Sequence, residues 1–571
     1  MMGSVNCVAT HPCKSHLAVL GDSGDVHLWD FDLKTLVMLR SFESSRLRPQ
    51  CCAFHPRGTI ISVGFTSGVC KILRADDLEE VASFKYTPST LTKMRFSPNG
   101  DMFVACDKDN HVLLFKYSSG EDPTSPIAED DHMKEAWVYV GRHRSHSRPI
   151  TGLEFGRRED GRVSLVSVGE DRILVEYNIS GSNQETGLLL AEAPKRIEQH
   201  AVPTALLWHP LLGTDFEDRL VTANNEYKLK QWNADNKSCR KTTLGPTFGG
   251  PINCLVQINQ VHEDGESRPA AFAVYGTVEK VVGLLQMPLD GNPHKTMGLI
   301  AHPREISSLA VSGDGNYLVT AGGTDITVNI WQINTRALQE SAAAATRTMS
   351  SSTTGTAFIA QGQGPDASSA HEGANQGGIA PFIEQLHGGE GGELHEELVD
   401  YFYYGLLRTQ GEDSREERST PGVVPVAEVP NIMRALGYYP TEQEISHMVN
   451  EVKYSRFTET GQVEDTINLE GLIRLFVNHR PVFPVNKQGI EDSFRAMGSE
   501  QNHGRLDWSG ICAKMKTMGE PVSEEELTHC LEALTGETST TRVNGHQSLY
   551  PLQFAEEVLG FEDYQPDTVL T

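Results

Sequence analysis

Asp22-Ser23-Gly24-Asp25-Val26-His27-Leu28-Trp29-Asp30 sets a polar turn in front of a short strand that alternates apolar and polar side chains and stops on a bulky residue. Six later stretches repeat the arrangement: TSGVCKIL ending at Leu73, KDNHVLLF at Phe115, EDRILVEY at Tyr177, NNEYKLKQW at Trp232, GTVEKVVGLL at Leu285 and TDITVNIW at Trp331. The endpoints lie 42 to 62 residues apart, the period of a four-stranded propeller blade of about 40 to 45 residues with loops inserted into the longer copies. A second signal keeps step with the first. AFHPRG (Ala53 to Gly58), RFSPNG (Arg95 to Gly100), LWHP (Leu207 to Pro210) and AVSGDG (Ala310 to Gly315) each close an apolar strand with turn residues. Seven copies in one phase predict an all-β propeller of seven blades over residues 1–340, with Trp29, Phe115, Tyr177, Trp232 and Trp331 at equivalent places on third strands. A β-sandwich of unrelated strands would not keep that phase.

The repeats resemble WD repeats. Trp29-Asp30 is the signature dipeptide, and Trp232-Asn233 and Trp331-Gln332 are altered forms of it.

At 571 residues the chain is too long for one ordinary domain, so a multidomain protein is expected. It carries 49 basic and 76 acidic side chains, a net charge of -27. No stretch reaches the roughly 18 consecutive apolar residues of a membrane span, so no membrane partner is expected. The start MMGSVNCVATHPCKSH lacks a basic segment followed by an apolar one, so no secretory signal is expected. The 10 cysteines include no C-x-x-C pair and read as free thiols of a reducing compartment. Most of the acidic excess falls after residue 336. Nucleic acid and anionic lipid are poor partners for such a surface, because phosphate binding needs clustered Lys and Arg.

Residues 342–378 are rich in Ala, Ser, Thr, Gly and Gln, with too few large apolar side chains to repay ordering, so 341–392 reads as a flexible linker. Within it, Phe358-Ile359 and Pro381-Phe382-Ile383 are either short docking spots or isolated apolar residues without a role. From about Glu393 the apolar period becomes 3.6, as in Val399, Phe402, Tyr403 and Leu406, in Leu469, Leu472, Ile473 and Phe476, and in Leu527, Cys530, Leu531 and Leu534. Thr441 with Glu444 and Ser523 with Glu526 form capping boxes that place two helix starts. The expected division is one helical lobe at 393–480, a second at 487–562 and a tail at 563–571.

The run VPNIMRALGYYPTEQEISHMVNEV (Val429 to Val452) resembles a helix, linker and helix of the calmodulin superfamily, which implies an all-α, EF-hand-like domain of two lobes. Aligning the loops on their apolar pairing residues puts Val424, Ile467, Leu506 and Leu549 at position 8. Position 12 is then Glu428, Gly471, Gly510 and Gln553. A calcium loop needs a bidentate carboxylate at 12, so three loops lack their main ligand and only the first, with Ser419 and Glu428, is a candidate. Lys453 stands where the second loop would begin its ligands. No metal and no cofactor are expected, with calcium the one alternative.

The order of the modules, together with HEELVDYFYYGLLRTQG (His395 to Gly411) and IEDSFRAMG (Ile490 to Gly498), resembles the cilia- and flagella-associated protein 251 family. The resemblance implies a scaffold in the axoneme of motile cilia and flagella, within the calmodulin- and spoke-associated complex at the base of a radial spoke. Its implied partners are the other subunits of that complex, calmodulin, radial spoke proteins and the doublet microtubule. The alternative is a calcium-responsive adaptor. Known members of the family also carry WD repeats ahead of this region, so a shortened chain is one expectation.

No enzyme constellation is found. His395-Glu396-Glu397-Leu398-Val399 begins like the zinc helix H-E-x-x-H but has Val at the second ligand position, no G-x-S-x-G occurs, and the glycines at 388 to 392 are not followed by Lys and Ser or Thr. Two partner-binding surfaces are proposed instead. Arg142, His143, Arg144, His146 and Arg148, followed by Arg157 and Arg158, form a basic cluster in or beside the longest insertion between blades, which is either a contact for an acidic partner such as tubulin or a solvated loop. Met433, Met448 and Met515, with Met497 and Met518, either line an adaptable groove for a basic amphipathic helix or fill the lobe cores.

Overall fold

The structure is a computed structural model that describes residues 3–43, 47–117, 137–209, 217–261, 267–352, 378–411, 422–483, 487–536, 538, 540 and 543–560. The chain divides into two compact units, Met1–Tyr439 with Gln443–Arg480, and Pro440–Glu442 with Pro481–Thr571.

Among the described residues, the part of the first unit up to Gln332 contains seven antiparallel sheets, each a meander in chain order. The first blade runs through Val5–Thr10, His16–Gly21, Asp25–Asp30 and Thr35–Ser41. Blades two to six repeat it, starting on the inner strands Pro49–Phe54, Leu91–Phe96, Ile150–Arg157, Pro203–Trp208 and Ile252–Val261. Each has four strands. The seventh, Ser308–Val311, Tyr317–Ala321 and Val328–Gln332, has three among the described residues.

All seven repeat endpoints fall on third strands in matching register: Trp29 opposite Leu17, Leu73 opposite Ile61, Phe115 opposite Phe103 and Tyr177 opposite Leu165. Trp232 pairs with Leu220, Leu285 with Ala273 and Trp331 with Leu318. The alternation has a purpose in the core. Apolar side chains on the two faces of each sheet pack against the neighbouring blades, so the core is a series of clusters between blades. One example joins Leu28 of the first blade to Phe65 of the second. The ring closes the same way, with Val5, Val8, Leu17 and Val19 packed on Val319 and Ala321. Hydrogen bonds reinforce that seam: Val8 N–H donates to Ser308 Oγ (3.2 Å), Ser307 Oγ to Val5 O (2.7 Å) and Thr10 Oγ1 to Val311 O.

The turn signal does more than reverse the chain. Gly58 and Gly100 adopt φ of +75° and +83°, a region that costs a side-chain-bearing residue energy. A Cβ at Gly58 would also come within 2.2 Å of the His11 ring, and one at Gly100 within 2.3 Å of His55. His11 Nε2 lies 2.9 Å from Gly58 O and His55 Nε2 3.2 Å from Gly100 O. Each histidine of one turn therefore engages the glycine of the next blade's turn.

In the fourth blade, buried His146 contacts Asp171 (3.0 Å) and Ser167 (2.8 Å), and Ser167 meets Tyr177 Oη (2.9 Å). In the seventh, His302 contacts Asp325 (3.0 Å) and Thr320 (2.8 Å), and Trp331 Nε1 donates to Thr320 (3.0 Å). These networks satisfy polar groups that burial would otherwise leave unpaired.

Most of the described residues after the ring are helical. A helix spans Thr335–Ser352, so the amino-terminal part of the expected linker is ordered, while residues 353–377, which include Phe358 and Ile359, lie outside the described residues. The linker boundary at 392 also falls too late. Phe382 and Leu386 are buried in the first lobe's core with Leu398, Phe402, Leu406, Ile432, Met433, Met448 and Phe476. The Arg474 guanidinium lies 5.2 Å from the Phe382 ring centre.

The first lobe contains helices Glu393–Thr409, Val429–Ala435, Glu442–Lys453 and Leu469–His479. A two-strand ribbon pairs Val424 with Ile467. In the second unit, helices Lys487–Ala496, Trp508–Met515 and Glu524–Thr535 surround Phe494, Trp508, Ile511, Leu527 and Leu531. Its ribbon pairs Leu506 with Leu549. Both pairs are the ones that the loop alignment set opposite each other. The Ser523–Glu526 capping box is formed.

Candidate interaction surfaces

The helix Leu469–His479 buries Leu472, Ile473, Leu475, Phe476, Val477, Asn478 and His479. With seven of its eleven residues buried, polar Asn478 and His479 among them, the helix is covered on more than one face. The lobe core takes one face, and the outer strand of the fifth blade, Cys239–Leu244, takes the other, with Leu244 packed on that core.

Polar groups fix the register of this joint. Lys228 Nζ donates to Asn478 O (2.6 Å) and Arg480 O (2.7 Å), carbonyls at the carboxyl end of the helix. That end carries unpaired acceptors and the negative pole of the helix dipole, so a cation there is favourable. Burial nevertheless pulls the Lys228 ammonium down to about 7, with the nearby Arg480 guanidinium adding to the fall. The Asn478 side chain accepts from Leu244 N–H (3.1 Å) and donates to Asp290 O (3.2 Å). Glu451 accepts from Thr242 N–H (3.0 Å) and contacts His479 Nε2 (2.9 Å). Trp232, a repeat endpoint, sets its ring edge-on to His447 with centroids 5.3 Å apart. Burial drives His447 down to about 2, so it sits in the joint as a neutral ring. The propeller and the first lobe are therefore one body.

A different stretch of the rim is uncovered among the described residues. Leu36, Val37 and Leu39 are exposed on the outer strand of the first blade, Met297, Leu299 and Ile300 on that of the sixth, and Ile326 and Ile330 beside and on the last strand of the seventh. These blades are consecutive in the ring, and the middle one has three strands among the described residues. Exposed apolar side chains gathered on outer strands are a common feature of protein association surfaces.

The basic cluster is on an edge strand. Arg142 and Arg144 are exposed on Trp137–Arg144, the outer strand of the third blade, and Arg148 is exposed just beyond it. Arg142 donates to Tyr86 O (3.1 Å). His146, counted with the cluster by sequence, is buried in the network above. Arg158 is likewise structural, bound to Glu176 (2.7 Å) and to Asp235. The insertion at 118–136 lies outside the described residues.

The methionine groove is corrected for two of its members. Met433 and Met448 are 0% and 1% exposed in the first lobe's core and face no groove. Met497 and Met515 pack against the core of the second unit, and Met518 is 61% exposed. Of the calcium candidates, Ser419 lies outside the described residues. Glu428 is engaged by Asn431 (3.3 Å) and by Arg408 (3.8 Å). Beyond Lys453, the second loop contains a helical turn, Phe457–Thr460.

Comparison with known proteins adds family to geometry. The CFAP251 C-terminal domain family matches residues 393–559, and the WD domain, G-beta repeat, matches 2–30, 79–116 and 291–332. Cilia- and flagella-associated protein 251 of Mus musculus is 33% identical over 97% of this chain and 40% of its own length. The Tetrahymena thermophila protein of the same name is 30% identical over 99% of this chain and 58% of its own length. The chain thus spans about half the length of the curated relatives it matches. Echinoderm microtubule-associated protein-like 3 of Mus musculus is 22% identical over 57% of this chain and 30% of its own length.

Proposed function

Because the chain belongs to the cilia- and flagella-associated protein 251 family over the region they share, and so to the proteins of cilia and flagella, we propose that it is a non-catalytic scaffold of the motile axoneme. Its place in this reading is the calmodulin- and spoke-associated complex at a radial spoke base, beside the doublet microtubule. The observation that carries a scaffold role is the rigid joint between propeller and first lobe. It covers the fifth blade and leaves the aliphatic rim of the sixth, seventh and first blades for other subunits. Propellers of this kind act by presenting surfaces to several proteins at once. The similarity to a microtubule-associated protein-like relative supports the doublet as a neighbour. Arg142, Arg144 and Arg148 are the side chains offered to an acidic surface there.

The helical pairs fit an EF-hand-like origin, supported by the ribbons at Val424–Ile467 and Leu506–Leu549, with the pairs serving as packing units in place of calcium sensors. A basic partner helix, calmodulin-complex subunits included, would meet the second lobe, where Met515 and Met518 remain near the surface. The test is to tag the protein in a ciliated cell and delete it. Label along the axoneme at the spoke repeat, with loss of normal beating on deletion, is expected. Label confined to the cell body, or unaltered beating, would contradict the reading.

A further inference from the structure

Two of the ten cysteines meet across a blade boundary. Cys7 lies on the inner strand of the first blade and Cys52 on that of the second, with their Sγ atoms 3.8 Å apart. Both line the central cavity of the ring, of about 810 Å³, together with Lys93 and Arg95. Ser308, across the closing seam, turns its hydroxyl to Cys7 Sγ at 3.7 Å. The arrangement is asymmetric. The Cys52 thiol donates to Cys7 and its own value rises, first through that bond and then through burial. Cys7 is drawn down to about 6, chiefly by the Cys52 hydrogen bond, with Ser308 and the Arg95 charge also lowering it and burial opposing.

The remaining thiols differ. Cys51, though adjacent in sequence, belongs to the apolar cluster between the second and third blades, and burial raises it. Burial also raises Cys70, Cys106, Cys239 and Cys254. Cys13 and Cys530 are exposed.

We propose that Cys7 and Cys52 are a peroxide-reactive dithiol pair, in which Cys7 is the attacking sulfur and Cys52 the resolving one. The Cys7 thiolate attacks one oxygen of hydrogen peroxide; the O–O bond breaks, and hydroxide leaves and takes up a proton from solvent. Cys7 is then a sulfenic acid. Cys52 sulfur attacks Cys7 sulfur and expels hydroxide, which carries away the Cys52 proton as water. Two thiols lose two electrons and one peroxide becomes two waters. The product is a disulfide that links the first two blades at the channel. A disulfide S–S bond is about 2 Å, so side-chain rotation and a small approach of the inner strands close the gap.

The test uses the full chain, treated with hydrogen peroxide, alkylated with N-ethylmaleimide, digested and read by mass spectrometry. The expected result is equal loss of alkylated Cys7 and Cys52. One linked peptide pair, lighter by two hydrogens, appears with them, with fragment ions assigning the link to Cys52 over Cys51. Dithiothreitol restores both thiols. Loss at Cys7 and Cys52 precedes loss at Cys13 and Cys530. In C52S the reaction stops at a Cys7 sulfenic acid that dimedone labels, and in C7S Cys52 remains alkylatable. Should C52S fail to fold, the wild-type link and its reversal still decide. Wild-type Cys7 and Cys52 that stay alkylatable until the exposed thiols are consumed would overturn the proposal. So would a Cys7 that passes to sulfinic acid beside a free Cys52.

Discussion

Lys228 is the residue on which the joint between ring and lobe turns. Its two acceptors are the carbonyls of Asn478 and Arg480. Lys228→Met keeps the stem's apolar packing and removes both hydrogen bonds. The expected cost is about 1 to 3 kcal/mol for buried acceptors left unpaired, read as faster amide exchange across Leu469–His479. The pH dependence has a definite sign. The folded value is about 7 against 10.5 for an ordinary lysine, so between those two pH values the unfolded chain holds a proton that the folded one does not. Stability from this group rises as pH increases through that window and is flat below it. In thermal unfolding, Lys228→Met is expected to lose that rise. An identical slope in both proteins would contradict the assignment. Sequence offered little warning of this role, because Lys228 opens the stretch KLKQW as one more polar residue of an alternating strand. Only the covering helix, remote in sequence, removes it from water.

Among elements, the third strands were readable because each side chain's direction follows from a period of two, and the blade repeats that pattern seven times. Helix faces were read less well. The spacing Val399, Phe402, Tyr403 and Leu406 gave the right helix with its stripe turned slightly. Leu398, Phe402 and Leu406 are buried, while Tyr403 is 47% exposed. Gly405 explains part of the turn, since its missing side chain lets Ile432 approach where a Cβ would meet it at 3.3 Å. The sequence leaves Phe382 undecided because its partners, including Phe402 and Phe476, come from helices far along the chain. Phe382→Ala is expected to cost about 3 to 5 kcal/mol and to loosen the helix Glu393–Thr409 in amide exchange. Protection unchanged from wild type would remove this segment from the core. The ribbons at the two helix-pair loops place Gly471 and Gly510 at the position where a bidentate carboxylate would be needed. Calorimetric titration of the full chain is expected to show no calcium site tighter than about 100 µM. Two micromolar sites would show the alignment to be wrong.

At the scale of the whole molecule, the propeller was legible from phase alone, and the closing seam follows from it, since a seventh copy must meet the first. The attachment of the first lobe was not. The low-complexity composition of 341–392 suggested two independent bodies on a tether, yet the deciding interactions lie outside that stretch, in the helix Leu469–His479 and the outer strand Cys239–Leu244. Nothing in the sequence announces the second packing surface, because Glu470, Arg474, Asn478 and His479 make Leu469–His479 read as an ordinary helix with one apolar stripe. The account rests on this joint, because a scaffold that presents the aliphatic rim in a fixed orientation needs lobe and ring to move as one. A specific protease site placed between residues 353 and 377 tests it most directly. After complete cleavage, the amino-terminal propeller fragment and the carboxyl-terminal helical fragment are expected to co-elute on size exclusion at micromolar concentration, and the same cleavage in Lys228→Met to weaken that association. Separation of the wild-type fragments into two peaks would contradict the account.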